Sequence, residues 1–178
     1  MLDFTETWSG ESLQCRGFIM RMLVFSDTHG RWDTMYDIIC AQAHDMVLHL
    51  GDCTADILEI GNRLPQEKLR YVPGNDLRDI MLRLPARQLF VQQGAVIFMT
   101  HGQDYSVRAG LSRLYEAAKS CGAALALYGH THVAHMEKRG EMVLLNPGSL
   151  TLDRSGMGGS YAVVDIEEGE VKCRIEYI

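Results

Sequence analysis

The stretch Leu23-Val24-Phe25-Ser26-Asp27-Thr28-His29-Gly30 joins a short apolar segment to an Asp-x-His pair and a glycine. Similar junctions recur along the chain. They are Val47-Leu48-His49-Leu50 before Gly51-Asp52, Tyr71-Val72 before Pro73-Gly74-Asn75-Asp76, Ile97-Phe98-Met99-Thr100 before His101-Gly102, and Leu125-Ala126-Leu127-Tyr128 before Gly129-His130-Thr131-His132. In open α/β sheets, ligands bind outside the carboxyl ends of the strands. The recurrence therefore predicts one site built from five strand ends.

Apolar segments alternate with helical patterns in the first half of the chain and with hairpin signals in the second. The predicted strands are 22–25, 46–50, 69–72, 88–92, 95–100, 124–128, 133–138, 142–145, 161–166 and 171–175, and the predicted helices are 32–43, 55–64 and 107–119. The β-α-β-α-β order favours parallel strands with crossover helices, whereas short glycine-containing turns favour antiparallel hairpins. The sequence therefore predicts a mixed α/β layered fold.

The composition is that of one globular domain. Of 178 residues, 47% are hydrophobic and 22% charged, and 17 basic against 23 acidic residues give a formal net charge of −6. This length suits a single core. The acidic balance disfavours stable nucleic-acid binding, which normally needs a basic excess.

Targeting and redox signals favour a cytoplasmic protein that does not bind membranes. No apolar run approaches the roughly 18 residues needed to span a bilayer, and residues 1–19 contain no apolar secretory core. We interpret residues 1–19 as an extension outside a domain at 20–178, with Met20 or Met22 as an alternative translation start. The five cysteines form no Cys-x-x-Cys pair, which is typical of reduced thiols.

Seven residues of metal-ligand type follow the five strands. They are Asp27, His29, Asp52, Asn75, His101, His130 and His132. Residues i and i+2 of an extended segment face the same side, so each closely spaced pair can converge. Taken singly, Gly51-Asp52 and Gly74-Asn75-Asp76 are common turns, and a lone histidine is more often a hydrogen-bonded polar residue than a ligand. Gly129-His130-x-His132 after an apolar segment is a more specific metal signal. Together, the ordered set indicates a metal site, and two ions sharing a carboxylate would use every donor.

The ordered set Asp27-x-His29, Gly51-Asp52, Gly74-Asn75, His101 and Gly129-His130-x-His132 resembles the calcineurin-like metallophosphoesterase superfamily. The short length and the segment Asn146-Pro147-Gly148-Ser149 resemble its small YfcE-type phosphodiesterase branch. The resemblance covers about residues 21–178 and implies a four-layer α/β/β/α sandwich. It also implies a ligand partition: Asp27, His29, Asp52 and His132 for one metal, and Asp52, Asn75, His101 and His130 for the other, with Asp52 bridging.

Two positions depart from the pattern of the superfamily. Many members have a histidine directly after the ligand asparagine, where it helps to protonate the leaving group, but this chain has Asp76. Members of the small branch often have histidine two residues after the ligand His101, but this chain has Gln103. Neither departure removes a predicted ligand. We take Asp52, Asn75 and Asp76 as the candidate catalytic residues.

The predicted reaction is hydrolysis of a small phosphodiester. A hydroxide bound between two metal ions would attack phosphorus, since a metal lowers the pKa of bound water toward about 7. Imidazole and carboxylate ligands without thiolate suit Mn, Fe, Co, Ni or Zn, and the resemblance favours Mn. Arg31, Arg78 and Arg108 are candidate phosphate contacts, with solvated surface charge as the alternative for each.

Two other functions remain open at this point. One is a phosphomonoesterase or phosphatase of the same superfamily, and the other is a non-catalytic binding scaffold with the same fold. The resemblance also implies a homo-oligomer, either a dimer or a tetramer. Three further histidines, His44, His49 and His135, receive no role.

Overall fold

A computed structural model describes residues 18–61, 63–151, 154 and 156–178. Within these residues the strands are β1 (Met20–Phe25), β2 (Met46–His49), β3 (Leu69–Tyr71), β4 (Arg87–Gln92), β5 (Ala95–Thr100), β6 (Leu125–Leu127), β7 (His135–Arg139), β8 (Met142–Asn146), β9 (Ser160–Glu167) and β10 (Glu170–Tyr177). The α-helices are α1 (Trp32–Ala41), α2 (Thr54–Gly61), α3 (Leu77–Met81) and α4 (Ser112–Ser120). Of the predicted N-terminal extension, only Phe18 and Ile19 fall in the described part, and both are exposed.

The strands form two mixed five-stranded sheets. The first has the order β10-β9-β1-β2-β3, in which β1, β2 and β3 are parallel and the β9–β10 hairpin is antiparallel. The second has the order β4-β5-β6-β8-β7, in which β5, β6 and β8 are parallel and β4 and β7 are antiparallel edge strands. Both sheets thus present a set of parallel carboxyl ends.

Alternation of apolar side chains along the strands produces four layers. In β1, Met22 and Val24 face the second sheet, whereas Leu23 and Phe25 pack against α1 and α2. In the second sheet, Phe98 of β5 packs on the opposite side, against α4. Because both faces of each central strand are covered, these strands are apolar almost throughout. The predicted four-layer α/β/β/α sandwich is confirmed.

Two helices differ from the sequence prediction. The helix predicted over 107–119 begins at Ser112, because Ser106 has φ +54° and Gly110 has φ +139°, which turn the chain before the helix. Helix α3 was not predicted. Its residues Leu77 and Met81 are 81% and 80% exposed, so it lacks the buried apolar stripe that identifies a helix in sequence. None of the helices in the described residues is long and apolar enough to cross a bilayer.

Candidate metal centre

The carboxyl ends of the parallel strands in both sheets meet at one site. The backbone N–H of Asp27 donates to the carbonyl of Gly51 at 2.9 Å, which joins the ends of β1 and β2. The N–H of Gly129 donates to the carbonyl of His101 at 2.9 Å, which joins the ends of β6 and β5. His101 Nδ1 lies 2.7 Å from the carbonyl oxygen of Leu50. This contact ties the second sheet to the first.

The structure brings all seven predicted ligands together. Of the three groups in the described residues that could hold a metal ion, two consist of predicted ligands: Asp27, His29, Asp52 and His132 form the first, and Asp52, His101 and His130 form the second, while the third is Asp52, Asp76 and Asp79. Within each group one ligand atom per residue lies within 4.8 Å of the others. The amide oxygen of Asn75 lies 3.2 Å from His101 Nε2, which places it beside the second group. Asp52 is common to both groups.

Most of these side chains are carried on left-handed backbone. The φ angles are +52° at Asp27, +45° at His29, +53° at Asp52, +70° at His130 and +60° at His132. Residues other than glycine rarely adopt this conformation, but aspartate and histidine do so more readily than most. The residue types that supply metal donors are therefore also among those that tolerate the turns after the strands.

Two glycines allow the ligand loops to touch. A Cβ atom placed on Gly74 would lie 2.1 Å from both the backbone nitrogen and Oδ1 of Asp52. A Cβ atom placed on Gly129 would lie 1.9 Å from Ser26 Oγ and 2.9 Å from Asp27 Oδ2. Contacts this short are not found for real Cβ atoms, so both positions require glycine for the observed packing.

Both carboxylates of the site stay ionised. Burial alone would raise the pKa of Asp27, but the adjacent His132 imidazole, with smaller effects from the His101 charge and the Ser26 hydroxyl, holds it below its ordinary value. Burial likewise acts to raise the pKa of Asp52, but His101 and the backbone amides of the loop after β3 lower it. Ionised carboxylates are the form that binds metal ions.

The two histidines of the second group differ in their electrostatics. Burial lowers the pKa of His101, but Asp52, whose Oδ2 lies 3.5 Å from His101 Nε2, and the charge of Asp27 together outweigh burial, and the pKa is raised. Burial, followed by the charges of His101 and Arg108, lowers the pKa of His130 to about 4. The carbonyl oxygen of Leu50 can only accept a hydrogen bond, so His101 Nδ1 carries the proton of this contact. In the neutral ring Nε2 is then unprotonated and can bind a metal ion.

The donor atoms of the site fit a bound cation. Asp27 Oδ1 and His130 Nδ1 are buried and have no hydrogen-bond partner among the described residues, although His132 Nε2 lies 3.1 Å from Asp27 Oδ1. Buried polar atoms are rarely left without a partner. Carboxylate, amide and imidazole donors converge on the same space, which is the chemistry expected of a site for a first-row transition metal.

The two positions that depart from the family pattern have different surroundings. Asp76 caps α3, since its Oδ1 accepts the N–H groups of Arg78 at 2.8 Å and Asp79 at 2.9 Å. Its Oδ2 accepts the N–H of Cys53 at 2.9 Å. Asp76 therefore anchors the loop and keeps its carboxylate within 4.8 Å of that of Asp52. Gln103 Oε1 is buried without a hydrogen-bond partner in the described part of the chain.

A buried polar chain behind the first group was missed by sequence reasoning. His49 Nδ1 accepts the N–H of Gly51 at 3.2 Å, so its Nε2 donates to Thr28 Oγ1 at 3.1 Å. Thr28 Oγ1 in turn donates to Asp56 Oδ2 at 2.6 Å. Asp56 Oδ2 also accepts the N–H of Gly30 at 2.8 Å. Burial lowers the pKa of His49 to about 4, which keeps this ring neutral.

A second buried carboxylate supports the other ligand loops. Asp79 accepts the hydroxyl and the N–H of Thr54 at 2.6 and 2.8 Å, and the N–H of Gly74 at 2.6 Å. One feature of the sequence could have pointed to the buried polar residues behind the site. His49 interrupts an otherwise apolar buried strand, and a polar group there requires a partner. The aspartates themselves lie in short helices, where sequence gives no indication of burial.

Comparison with known proteins identifies the family. Residues 20–169 match the calcineurin-like phosphoesterase superfamily domain. YsnB of Bacillus subtilis, a probable metallophosphoesterase, is 30% identical over 166 residues, which cover 87% of this chain and 89% of YsnB. The phosphodiesterase YfcE of Escherichia coli K12 is 25% identical over 123 residues, covering 69% of this chain and 54% of YfcE.

A solved structure of a similar protein has the same fold. The crystal structure of a predicted phosphoesterase from Streptococcus pneumoniae TIGR4 superposes with a TM-score of 0.74 at 27% identity, and the match covers 90% of each chain. The chain therefore belongs to the calcineurin-like phosphoesterase superfamily, as the motif resemblance predicted. The site described above occupies the positions from which that resemblance was inferred.

Proposed function

We propose that this chain is a phosphodiesterase that works with two divalent metal ions. One ion is held by Asp27, His29, Asp52 and His132, and the other by Asp52, Asn75, His101 and His130. The observation that carries the proposal is the position of Asp52, whose carboxylate belongs to both groups of donor atoms. Membership of a phosphoesterase superfamily supports the class of reaction.

When bound, two such ions supply Lewis acidity to a phosphoryl oxygen and lower the pKa of bound water. The chain supplies charge and orientation. Asp27 and Asp52 offset part of the positive charge, and the carbonyl of Leu50 fixes the ring of His101. His29 is exposed, whereas Asp27 is fully buried. The first group is therefore open to solvent on one side, where a small substrate reaches it.

The preferred substrate is a phosphodiester rather than a phosphomonoester. The Asp76 carboxylate lies within 4.8 Å of that of Asp52. This negative charge disfavours a dianionic monoester more than a monoanionic diester. The position after Asn75 also lacks an imidazole that could protonate a poor leaving group. The name of the related YfcE, a phosphodiesterase, supports the same choice.

Manganese is the proposed ion, with iron, nickel, cobalt and zinc as alternatives of similar ligand chemistry. We propose a cytoplasmic setting, which the free thiols of Cys40, Cys53, Cys121 and Cys173 support. We also propose a homo-oligomer, either a dimer or a tetramer. The exposed apolar side chains of Leu77 and Met81 support an assembly of this kind.

The proposal is tested with the purified chain after manganese loading and desalting. Metal content is measured by mass spectrometry, and hydrolysis of bis-p-nitrophenyl phosphate is compared with hydrolysis of p-nitrophenyl phosphate. We expect two ions per chain and a higher kcat/KM for the diester. A higher kcat/KM for the monoester would identify a phosphomonoesterase instead. A chain that takes up no metal and hydrolyses neither compound would be a binding scaffold.

A further inference from the structure

Arg108 places a permanent positive charge beside the second group of donor atoms. It lies between His101 and α4, and its side chain is exposed. Its Nη2 donates a hydrogen bond of 3.0 Å to the backbone carbonyl of His130. Of the three arginines that the sequence offered as phosphate contacts, Arg108 is the one whose guanidinium donates a hydrogen bond to a proposed metal ligand in the described part of the chain.

The backbone that carries Arg108 is held in place. Val107 is 5% exposed and packs in the core beneath α4. A Cβ atom on Gly102 would lie 2.9 Å from Val107 Cγ2, so the two segments are in close contact. The N–H of Ala109 donates to the carbonyl of Ser106 at 2.8 Å, which closes the turn around Arg108. The backbone that carries the guanidinium of Arg108 is therefore held in one position.

Among the described residues, Arg108 uses little of its hydrogen-bonding capacity. A guanidinium has five N–H donors, and one of them reaches the carbonyl of His130. No carboxylate lies within salt-bridge distance of Arg108 in the described part of the chain. Arg31 differs, since it donates to Thr34 and pairs with Asp33 at 3.6 Å.

From these observations we propose that Arg108 binds a non-bridging oxygen of the substrate phosphoryl group beside the second metal ion. This proposal rests on the proposed function, because it concerns the substrate of the same site. Arginine stays charged at all relevant pH values and makes charge-assisted hydrogen bonds to phosphate. The carbonyl of His130 orients the guanidinium, and the remaining N–H groups hold the anion.

The test measures binding of inorganic phosphate to the manganese-loaded protein by calorimetry, together with kcat/KM for bis-p-nitrophenyl phosphate. Three variants separate charge from hydrogen bonding. Arg108→Ala removes both, Arg108→Lys keeps the charge, and Arg108→Gln keeps an N–H donor for the carbonyl of His130. Arg113→Ala is the control, because Arg113 is a nearby exposed arginine whose Nη1 donates to Ser106 Oγ at 3.3 Å.

We expect Arg108→Ala and Arg108→Gln to weaken phosphate binding by about tenfold to a hundredfold, the usual range for a hydrogen bond to a charged group. Arg108→Lys should retain part of the affinity, and Arg113→Ala should stay within about twofold of the wild type. Manganese content should be unchanged in every variant.

Three results would overturn the proposal. They are wild-type phosphate affinity in Arg108→Gln, a loss of manganese that accompanies the loss of phosphate in Arg108→Ala, and a wild-type protein that binds no phosphate. The second result would make Arg108 a positioning residue for His130. Phosphate binding is read without turnover, so a wild type that binds phosphate but hydrolyses no diester would defeat the proposed function and leave the test of Arg108 intact.

Discussion

Thr28 and Asp56 are joined by a hydrogen bond of 2.6 Å that links the loop after β1 to the first turn of α2. Thr28 is fully buried and Asp56 is 4% exposed, so the contact is shielded from water. Thr28 stands between Asp27 and His29, and Asp56 Oδ2 also accepts the N–H of Gly30. One carboxylate therefore holds the residues on both sides of His29, through the side chain of Thr28 and the backbone of Gly30.

Asp56→Ala should leave the buried Thr28 hydroxyl and the N–H of Gly30 without their acceptor. We expect the free energy of unfolding of the metal-free protein to fall by about 2 kcal/mol, and manganese affinity to fall by about tenfold to a hundredfold. Urea denaturation and calorimetric metal titration measure the two effects. Asp37→Ala, at an exposed position of α1, is the matched control. Unchanged metal affinity in Asp56→Ala would refute the positioning of His29 by Asp56.

The two groups of donor atoms should lose metal independently. His29→Ala removes a donor from the first group and His130→Ala from the second, so each should retain about one manganese ion per chain after desalting. Asp52→Ala should reduce both, since Asp52 belongs to both groups. Elemental mass spectrometry gives the stoichiometry, with His44→Ala as a histidine control outside the groups. Two ions retained in His130→Ala would exclude this partition.

The charge of Asp76 should control the choice between monoester and diester. Asp76→Asn removes the charge and keeps an oxygen that caps α3, although its amide nitrogen cannot accept the N–H of Cys53 as Asp76 Oδ2 does. We expect the ratio of kcat/KM for p-nitrophenyl phosphate to that for bis-p-nitrophenyl phosphate to rise by about tenfold, because one repulsive charge near the phosphoryl group is lost. Asp37→Asn should leave the ratio unchanged. A ratio in Asp76→Asn that equals the wild-type value would remove Asp76 from the account of specificity.

The ion pair between Arg21 and Asp165 should add stability that depends on pH. Arg21 Nε and Nη2 donate to the two oxygens of Asp165 at 2.7 and 2.9 Å, joining β1 to β9. The Arg21 guanidinium holds the pKa of Asp165 below its ordinary value. The ion pair therefore makes its full contribution to the free energy of unfolding above the unfolded-state pKa of about 3.9. That contribution disappears as the pH falls through the lower folded-state pKa of Asp165.

Asp165→Asn should lower the free energy of unfolding by about 0.5–1 kcal/mol near neutral pH, the usual size for a partly exposed pair. The difference from the wild type should shrink as the pH falls from about 5 toward 3. Urea unfolding at several pH values measures it. Glu170→Gln, which breaks the exposed pair with Lys172, is the control. A difference that grows on acidification would contradict the assigned direction of the pKa shift.

The site was predictable because its donors follow strands, and strand ends are visible in sequence. Asp27, His29 and Asp52 follow neighbouring parallel strands, whose carboxyl ends necessarily share one edge. The histidines after β5 and β6 belong to the other sheet. The recurrence of polar residues after strands predicted one site from five strand ends, but the arrangement of those strands in two packed sheets came from the family resemblance.

The remaining features depend on contacts between distant parts of the chain. Thr28 lies 21 residues before His49 and 28 residues before Asp56 in the sequence. No local pattern marks these residues as partners. Helix α3 is short and its apolar residues are exposed, so it has no buried face to detect. The late start of α4 depends on φ at Ser106, a position where a serine does not signal a left-handed turn.

The left-handed backbone at five of the seven proposed ligands has a consequence for protein engineering. Conformations of this kind cost on the order of 1–3 kcal/mol each, and glycine would relieve that strain. A screen that rewards thermal tolerance alone would therefore drift toward glycine at the pocket and erase its donors. Variants built for durability should leave these turns untouched and alter instead exposed positions away from the site and from α3, for example Leu89 and Val91 of β4.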